Sequence, residues 1–293
     1  MNIGISTTAT ARSGDLAEVA RQVEALGYDS LWIPEHPVVP VHRTTPFPAS
    51  RDGQMPEHYM QWTDPFIALT VAATVTKTIK LGTGICLLPE RDPLITAKVV
   101  ASLDVYSRGR VILGVGAGWL REETELMGTS FRLRWKRLRE SVEAMRVLWT
   151  QKEASYEGEL VRFPAVRCEP KPVQQPGPPV LLGALGRKAL ERVVRTYDGW
   201  YPFVSSLAAF QNDMATLKQL TAEAGRNPDT VQVTAIVDPR NGGPSVDDLK
   251  RYRDAGANRI VVYSQQTRQD DADGKALEVV KRSAAIVERA QQV

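Results

Sequence analysis

The sequence predicts one (β/α)8 barrel over residues 1–293, with insertions after the second and fourth strands. Eight apolar, strand-like runs alternate in one direction with eight helix-like segments. A length of 293 residues suits one large α/β barrel or two ordinary domains, and the 43% hydrophobic and 24% charged shares are typical of a globular chain with a substantial core. A doubly wound open sheet is the alternative architecture.

The predicted strands are short runs rich in β-branched and aromatic residues. The fourth is continuously apolar, as expected for a strand buried on both faces, and its far end carries Gly114, Gly116 and Gly118. In chain order the predicted strands are 2–7, 30–34, 79–88, 111–119, 179–183, 199–203, 231–237 and 259–263.

The predicted helices carry apolar residues at helical spacing. Asp64-Pro65 and Asp92-Pro93 each place an N-cap residue before a proline at the first helical position, and Gly27 follows the end of the first helix. In chain order the predicted helices are 15–26, 66–76, 94–106, 134–150, 187–196, 207–224, 245–255 and 276–291.

Two segments interrupt this alternation. Residues 35–63 are polar and, with Pro34 and Pro65 at their edges, contain seven prolines. A loop of this length inside a compact domain is usually functional or disordered. Residues 154–175 form the second insertion, in which residues 156–160 predict a hairpin.

Composition argues against several classes of protein. The 37 basic and 34 acidic residues are interspersed, which argues against nucleic-acid binding, and no apolar run approaches the roughly 18 residues of a membrane-spanning helix. The chain enters a strand directly after Met1, so we expect a cytoplasmic protein. Cys86 and Cys168 lie far apart and predict reduced thiols.

The carboxyl ends of the strands build the active site of a barrel. Here they deliver Thr7-Thr8, Glu35-His36, Thr83-Gly84-Ile85, Gly116-Ala117-Gly118, Gly183-Ala184, Tyr201-Pro202, Asp238 and Tyr263-Ser264. These ends lack a lysine for a Schiff base, which argues against aldolase chemistry. The three histidines, His36, His42 and His58, share one loop but match no metal-ligand spacing, so no metal site is predicted.

The glycines after the fourth strand have two interpretations. Bare backbone lets a flat or phosphorylated ligand approach closely, whereas a tight strand-to-helix turn needs glycine for conformational reasons alone. A dinucleotide fingerprint is rejected, because Trp119 stands where its third glycine would be.

Several motifs together resemble the bacterial luciferase-like flavin superfamily, in its branch that uses the deazaflavin coenzyme F420. The resemblance runs in motif order from residue 1 to about residue 203. Its motifs are Ser30-Leu-Trp-Ile-Pro-Glu-His36, Asp64-Pro-Phe-Ile-Ala-Leu69, Lys80-Leu-Gly-Thr-Gly84, Pro89-Glu-Arg-Asp-Pro93, residues 103–111, Gly114-Val-Gly-Ala-Gly-Trp119, Phe131-x-x-Arg134 and Asp198-Gly-Trp200.

The resemblance implies roles for residues around the reactive ring. It implies a non-prolyl cis peptide at Gly84-Ile85, pressed against the middle ring of the coenzyme. Glu35 and His36 would be catalytic, with His36 exchanging a proton with the substrate, although Glu35 departs from the more frequent aspartate. The remaining residues implied on this side of the coenzyme are Thr83, Gly116, Ala117, Gly118, Trp119 and Glu122.

The resemblance also implies a phosphate-binding region. Gly183 and Ala184 would hold the phosphate through backbone N–H groups at a helix N-terminus, and Arg187 would add positive charge. Trp200 completes the implied cofactor-binding set.

The resemblance therefore predicts an oxidoreductase that moves a hydride between F420 and a small organic substrate, in a homodimer. An FMN-dependent monooxygenase is the first alternative, and it would need a flavin reductase as partner. A flavin-binding or deazaflavin-binding barrel without catalytic activity is the second. The sequence does not select a substrate.

Overall fold

The chain folds as a closed barrel in the computed structural model, which describes residues 1–239, 242–263 and 274–293. The strands are β1 (Asn2–Ser6), β2 (Ser30–Ile33), β3 (Lys80–Thr83), β4 (Val111–Val115), β5 (Ala154–Glu157), β6 (Arg162–Val166), β7 (Val180–Leu182), β8 (Gly199–Trp200), β9 (Gln232–Val237) and β10 (Arg259–Val262).

The helices surround the barrel. They are α1 (Leu16–Ala25), α2 (Pro65–Val75), α3 (Pro93–Ser107), α4 (Arg121–Leu126), α5 (Arg134–Thr150), α6 (Arg187–Thr196), α7 (Leu207–Glu223), α8 (Val246–Ala255) and α9 (Ala276–Ala290). Short 3-10 helices occur at Glu57–Gln61, Leu88–Glu90, Phe131–Leu133 and Pro228–Thr230.

The predicted barrel is confirmed. Its strands are parallel and follow the order β1-β10-β9-β8-β7-β4-β3-β2, with β1 also paired to β2. This closure rules out the open sheet, which would leave two unpaired edges. The second insertion forms the predicted hairpin, because β5 and β6 pair antiparallel outside the barrel.

Three predicted strands were too long at their carboxyl ends by three or more residues. The third ends at Thr83, after which the chain passes through a cis peptide at Gly84-Ile85 and enters the 3-10 helix Leu88–Glu90. The fourth ends at Val115, and the sixth is reduced to Gly199–Trp200 with an isolated bridge at Phe203. These shortened ends are the positions where the chain leaves the sheet to form the mouth of the barrel.

Both predicted aspartate caps are present. The side chain of Asp64 accepts hydrogen bonds from the backbone N–H groups of Phe66 and Ile67 at 2.9 and 3.1 Å. Asp92 does the same for the first turn of α3. Each cap satisfies backbone donors that a helix N-terminus leaves without partners.

Stacked aromatic rings fill the barrel interior below its mouth. Trp32 stacks on Tyr201 with ring centroids 4.6 Å apart, and both are buried. A Cβ at Gly82 would lie 2.3 Å from the Trp32 ring, so glycine is required there for close packing. The site above therefore rests on a packed core. Within the described residues, no helix is long and apolar enough to cross a bilayer.

Candidate active site

A cavity of about 520 Å³ lies at the carboxyl ends of the barrel strands. It brings together Glu35, His36, Gly84, Ile85, Ala117, Gly118, Trp119, Gly183 and Ala184, which the resemblance implied. The long loop after β2 adds Pro48, Tyr59 and Trp62, and the other walls include Trp135, Leu185 and Phe203. The cavity therefore has a floor of nearly bare backbone and mostly apolar walls, as expected for a site that holds a flat organic molecule.

His36 is held in this cavity by a buried carboxylate. Its Nδ1 lies 2.6 Å from Oε2 of Glu123, and the two side chains are 6% and 0% exposed. An ionised carboxylate accepts only, so Nδ1–H is the donor. No hydrogen bond from a described residue reaches Nε2, the ring nitrogen left for a substrate. This pairing fixes the orientation and the tautomer of the imidazole.

Three aromatic rings surround His36. The ring centroids of Tyr59, Trp62 and Trp119 lie 5.8, 5.5 and 5.8 Å from that of the imidazole. Tyr59 and Trp62 belong to the region of the 3-10 helix Glu57–Gln61, which the sequence did not predict. These rings restrict water around the imidazole.

The glycines at the strand ends make room for Ile85 more than for a ligand. A Cβ at Gly116 would lie 2.0 Å from Cδ1 of Ile85, and one at Gly183 would lie 2.6 Å from its Cγ2. The Gly84-Ile85 peptide that precedes this side chain is cis, as the resemblance implied. Ile85 thus lies between β4 and β7, and the bare backbone predicted from the glycines is partly covered by a protein side chain.

Replacing Gly116 with alanine is expected to destabilise the fold by about 1–3 kcal/mol, because the new methyl group overlaps Ile85. Ile85→Val removes Cδ1 and leaves Cγ1 at 3.3 Å from the new Cβ. Gly116→Ala combined with Ile85→Val should therefore recover much of the stability that Gly116→Ala loses. Denaturant unfolding of the wild type, the two single variants and the double variant measures this coupling. Additive effects of the two substitutions would contradict the packing role.

Both carboxylate oxygens of Glu35 are bonded to other groups of the protein. One oxygen accepts from the backbone N–H of Leu87 at 2.7 Å, and the other is ion-paired with Arg91, which also pairs with Asp64 at 2.5 Å. Glu35 lines the cavity, but its acidic group faces this network. The network ties the end of β2 to the turn before α3 and to the N-cap of α2.

Other residues of the implied set lie outside the cavity lining. The hydroxyl of buried Thr83 donates to the Gly114 carbonyl at 2.7 Å and links β3 to β4. Trp200 is fully buried, and its Nε1 donates to the Ala184 carbonyl at 2.8 Å. Trp200 therefore supports the backbone of the cavity wall without facing it.

Glu122 and Arg187 are also absent from the cavity lining. Glu122 accepts from the backbone N–H groups of Thr44 and Thr45 at 2.6 and 3.0 Å, and so holds the long loop against α4. Burial raises the pKa of Glu122, but these hydrogen bonds dominate and lower it to about 2. Arg187 is exposed and paired with Glu191 at 3.3 Å.

Sequence reasoning missed Glu123, the residue that contacts His36. It selected the neighbouring Glu122 instead. Adjacent residues on a helix face different directions, so one carboxylate reaches the loop and the other reaches the imidazole. Recognising the short helix α4 from Leu120 onward would have separated the two. Within the described residues, no group of three or more potential ligands is placed to hold a metal ion.

Comparison with known proteins agrees with this architecture. The family model of luciferase-like monooxygenases matches residues 1–240. An uncharacterized protein from Mycobacterium tuberculosis is 36% identical over 274 residues, or 93% of this chain and 95% of that protein. The 5,10-methylenetetrahydromethanopterin reductase of Archaeoglobus fulgidus is 28% identical over 262 residues, or 89% of this chain and 69% of that protein.

Two solved structures share the fold. One is an F420-dependent secondary alcohol dehydrogenase in complex with an F420-acetone adduct, with a TM-score of 0.70, 18% identity and coverage of 96% of this chain and 98% of that chain. The other is the oxygenating constituent of 3,6-diketocamphane monooxygenase from Pseudomonas putida in complex with FMN, with a TM-score of 0.68, 16% identity and 98% coverage of both chains. The family match over most of the chain, together with the barrel and its site, shows that this chain belongs to the luciferase-like monooxygenase family.

Proposed function

We propose that this protein is an oxidoreductase that transfers a hydride between coenzyme F420 and a small organic substrate. The observation that carries the proposal is His36, fixed by Glu123 at 2.6 Å inside an aromatic cavity with a backbone floor. Such a site offers one proton-transfer group beside a surface for a flat ring system. Bound F420 would supply the hydride chemistry, and the protein residues would position the substrate and move its proton.

The cavity fits a planar ring system. Its lining includes Gly84, Gly118 and Ala184, whose side chains are small or absent, while Ile85 covers part of the backbone at Gly183. A ring on this floor would face the aromatic walls of Tyr59, Trp62 and Trp119. Aromatic contacts of this kind favour flat ligands.

The phosphate end of the coenzyme fits the N-terminus of α6. Gly186 caps this helix with a φ of +83° and no side-chain hydrogen bond, and a Cβ built there meets nothing within 4 Å. Open backbone N–H groups and the helix dipole attract an anion. We therefore retain Gly183, Ala184 and Arg187 as candidate phosphate-side residues, with Arg187 free to exchange its surface pair with Glu191 for a ligand.

Within the pocket, we assign proton transfer to His36 and a structural role to Glu35. Nε2 of His36 would give a proton to the substrate oxygen or nitrogen, or take one from it, while Nδ1 keeps its hydrogen bond to Glu123. Glu35 already accepts from Leu87 and Arg91, so it is better suited to hold the pocket wall than to exchange protons.

Choice of coenzyme is the direct test of the proposal. We expect F420 to bind purified protein at least about 10-fold more tightly than FMN in a fluorescence titration, a difference of about 1.4 kcal/mol. The methylenetetrahydromethanopterin reductase relative and the F420-dependent alcohol dehydrogenase fold support F420. The FMN-bound camphane monooxygenase fold is the observation that favours the alternative. Preference for FMN would overturn the proposal and favour a monooxygenase that needs a flavin reductase.

We further propose that the protein is a homodimer through the outer face of α2 and α3. These helices expose Ile67, Val71, Ile95 and Tyr106, of which Ile67, Ile95 and Tyr106 are at least 66% exposed. Grouped exposed apolar residues usually mark an interface. Light scattering should give twice the mass of one chain, and Ile67→Lys with Ile95→Lys should give a monomer. Leu126→Lys, at a 65% exposed apolar residue of α4, is the matched control. A monomeric wild type would contradict this assignment.

A further inference from the structure

A second cavity of about 620 Å³ lies beside the active site without sharing any of its lining residues. Its walls include Glu90, Arg137, Met127 and Leu133. Met127 and Leu133 are each 40% exposed, so this cavity opens to solvent. The cavity therefore brings solvent to a wall that includes Glu90, separately from the active-site pocket.

Glu90 joins this second cavity to the acidic partner of His36. The side chain is buried, with 3% of the residue exposed, and its Oε1 accepts from the Thr124 hydroxyl at 2.9 Å. Thr124 directly follows Glu123 on α4. Among the described residues, Oε2 of Glu90 has no hydrogen-bond partner although it is buried. A buried carboxyl oxygen without a hydrogen-bond partner is usually protonated or bonded to a water molecule.

The charges around Glu90 favour its neutral form. Burial is the largest cause, and the nearby carboxylate of Glu123 adds to it, so that the pKa of Glu90 rises from 4.5 to about 8. Glu35 acts in the same direction, whereas Arg91 and the Thr124 hydroxyl oppose the rise. At neutral pH Glu90 is therefore protonated, and Glu123 can carry its negative charge next to His36.

We propose that Glu90 is a positioning residue that acts on His36 through Glu123, by holding a proton that it exchanges through the second cavity. When Glu90 releases this proton to solvent, a second negative charge stands behind the imidazole. The imidazole then holds its own proton more firmly and becomes a weaker acid toward the substrate. This inference rests on the proposed proton-transfer role of His36, but it predicts coupling that exists without coenzyme.

NMR of the imidazole rings tests this coupling directly, because the chain has only three histidines. The His36 signals, identified by their loss in His36→Gln, should shift with a midpoint near pH 8 in the wild type. Glu90→Gln keeps the size of the side chain and an acceptor for Thr124 but cannot ionise, so this midpoint should disappear. Glu125→Gln, at an exposed position of α4, should leave the midpoint unchanged.

The outcomes separate this proposal from the proposed function. A wild type without an inflection near pH 8, or an inflection that persists in Glu90→Gln, would overturn the role of Glu90 whatever coenzyme binds. If Glu90→Gln does not fold, Thr124→Val decides instead: it removes the hydroxyl that opposes the rise in the pKa of Glu90, so the midpoint should move to higher pH, and an unchanged midpoint would overturn the role of Glu90. In protein saturated with F420 the inflection should persist if Glu90 exchanges its proton through the second cavity, whose lining is separate from that of the active site. Its loss there would overturn the exchange route. Failure to bind F420 would overturn only the proposed function.

Discussion

Replacing His36 with alanine is expected to lower turnover by about 100- to 10,000-fold, while F420 still binds. The imidazole is the titratable group of the cavity whose Nε2 is open to a substrate, whereas the carboxylate of Glu35 is already occupied. The measurement is steady-state oxidation of reduced F420 with small ketones, imines or activated alkenes, using the first compound that the wild type reduces.

Two further variants identify the cause of the loss. Alanine leaves buried Glu123 without its imidazole partner, so a change in folding could also lower activity. His36→Gln offers Glu123 an amide donor but cannot transfer a proton at neutral pH, and it should be nearly as inactive as alanine. His42→Ala removes an exposed histidine of the same loop and should retain wild-type turnover. Full activity of His36→Gln would exclude proton transfer by this residue and leave F420 binding as the supported role.

Replacing Arg91 with methionine is expected to destabilise the protein by about 3–5 kcal/mol, because it leaves a buried charge without its partner. The carboxylate of Glu35 is only 2% exposed and would lose its guanidinium partner, while it keeps the hydrogen bond from the Leu87 backbone at 2.7 Å. Arg91 also contacts Asp64 and lies 5.0 Å from the Phe66 ring centroid, so the start of α2 would loosen as well. Reversible urea unfolding gives the free energy of unfolding.

A surface pair provides the matched control for Arg91. Arg167 and Glu153 form an ion pair at 2.6 Å with side chains 67% and 61% exposed, and Arg167→Met should cost no more than about 1 kcal/mol. Glu35→Gln combined with Arg91→Met removes the uncompensated charge and should recover part of the stability. If Arg91→Met were no more harmful than Arg167→Met, the network would not hold the pocket wall as the geometry indicates.

The sequence allowed the fold to be predicted well because its signals are local. Two helices, Arg134–Thr150 and Arg187–Thr196, have the predicted bounds, and both aspartate caps are in place. Alternating apolar runs and caps depend on neighbours within a few residues, so they survive in a single sequence. Strand ends were predicted less well, since the chain leaves the sheet where tertiary contacts such as those of Ile85 decide its course.

The candidate site was predicted in part. Strand-end residues such as His36 and Gly183 meet in one cavity because a barrel brings all its strand ends to one face. The roles of Trp200 and Gly116 were not accessible in the same way. Trp200 faces the core, and Gly116 accommodates Ile85 from another strand end, and neither contact has a signal in the local sequence.

The sequence by itself determined the barrel, the order of its elements and the strand end that carries His36, because hydrophobic periodicity and capping act over a few residues. Only the tertiary structure decided that Glu123 orients His36, that Arg91 forms an ion pair with Glu35, and that Glu90 lines a separate cavity. These contacts join residues that are 34 to 87 positions apart in the chain. They depend on the directions of individual side chains in a closed barrel, which no local pattern specifies.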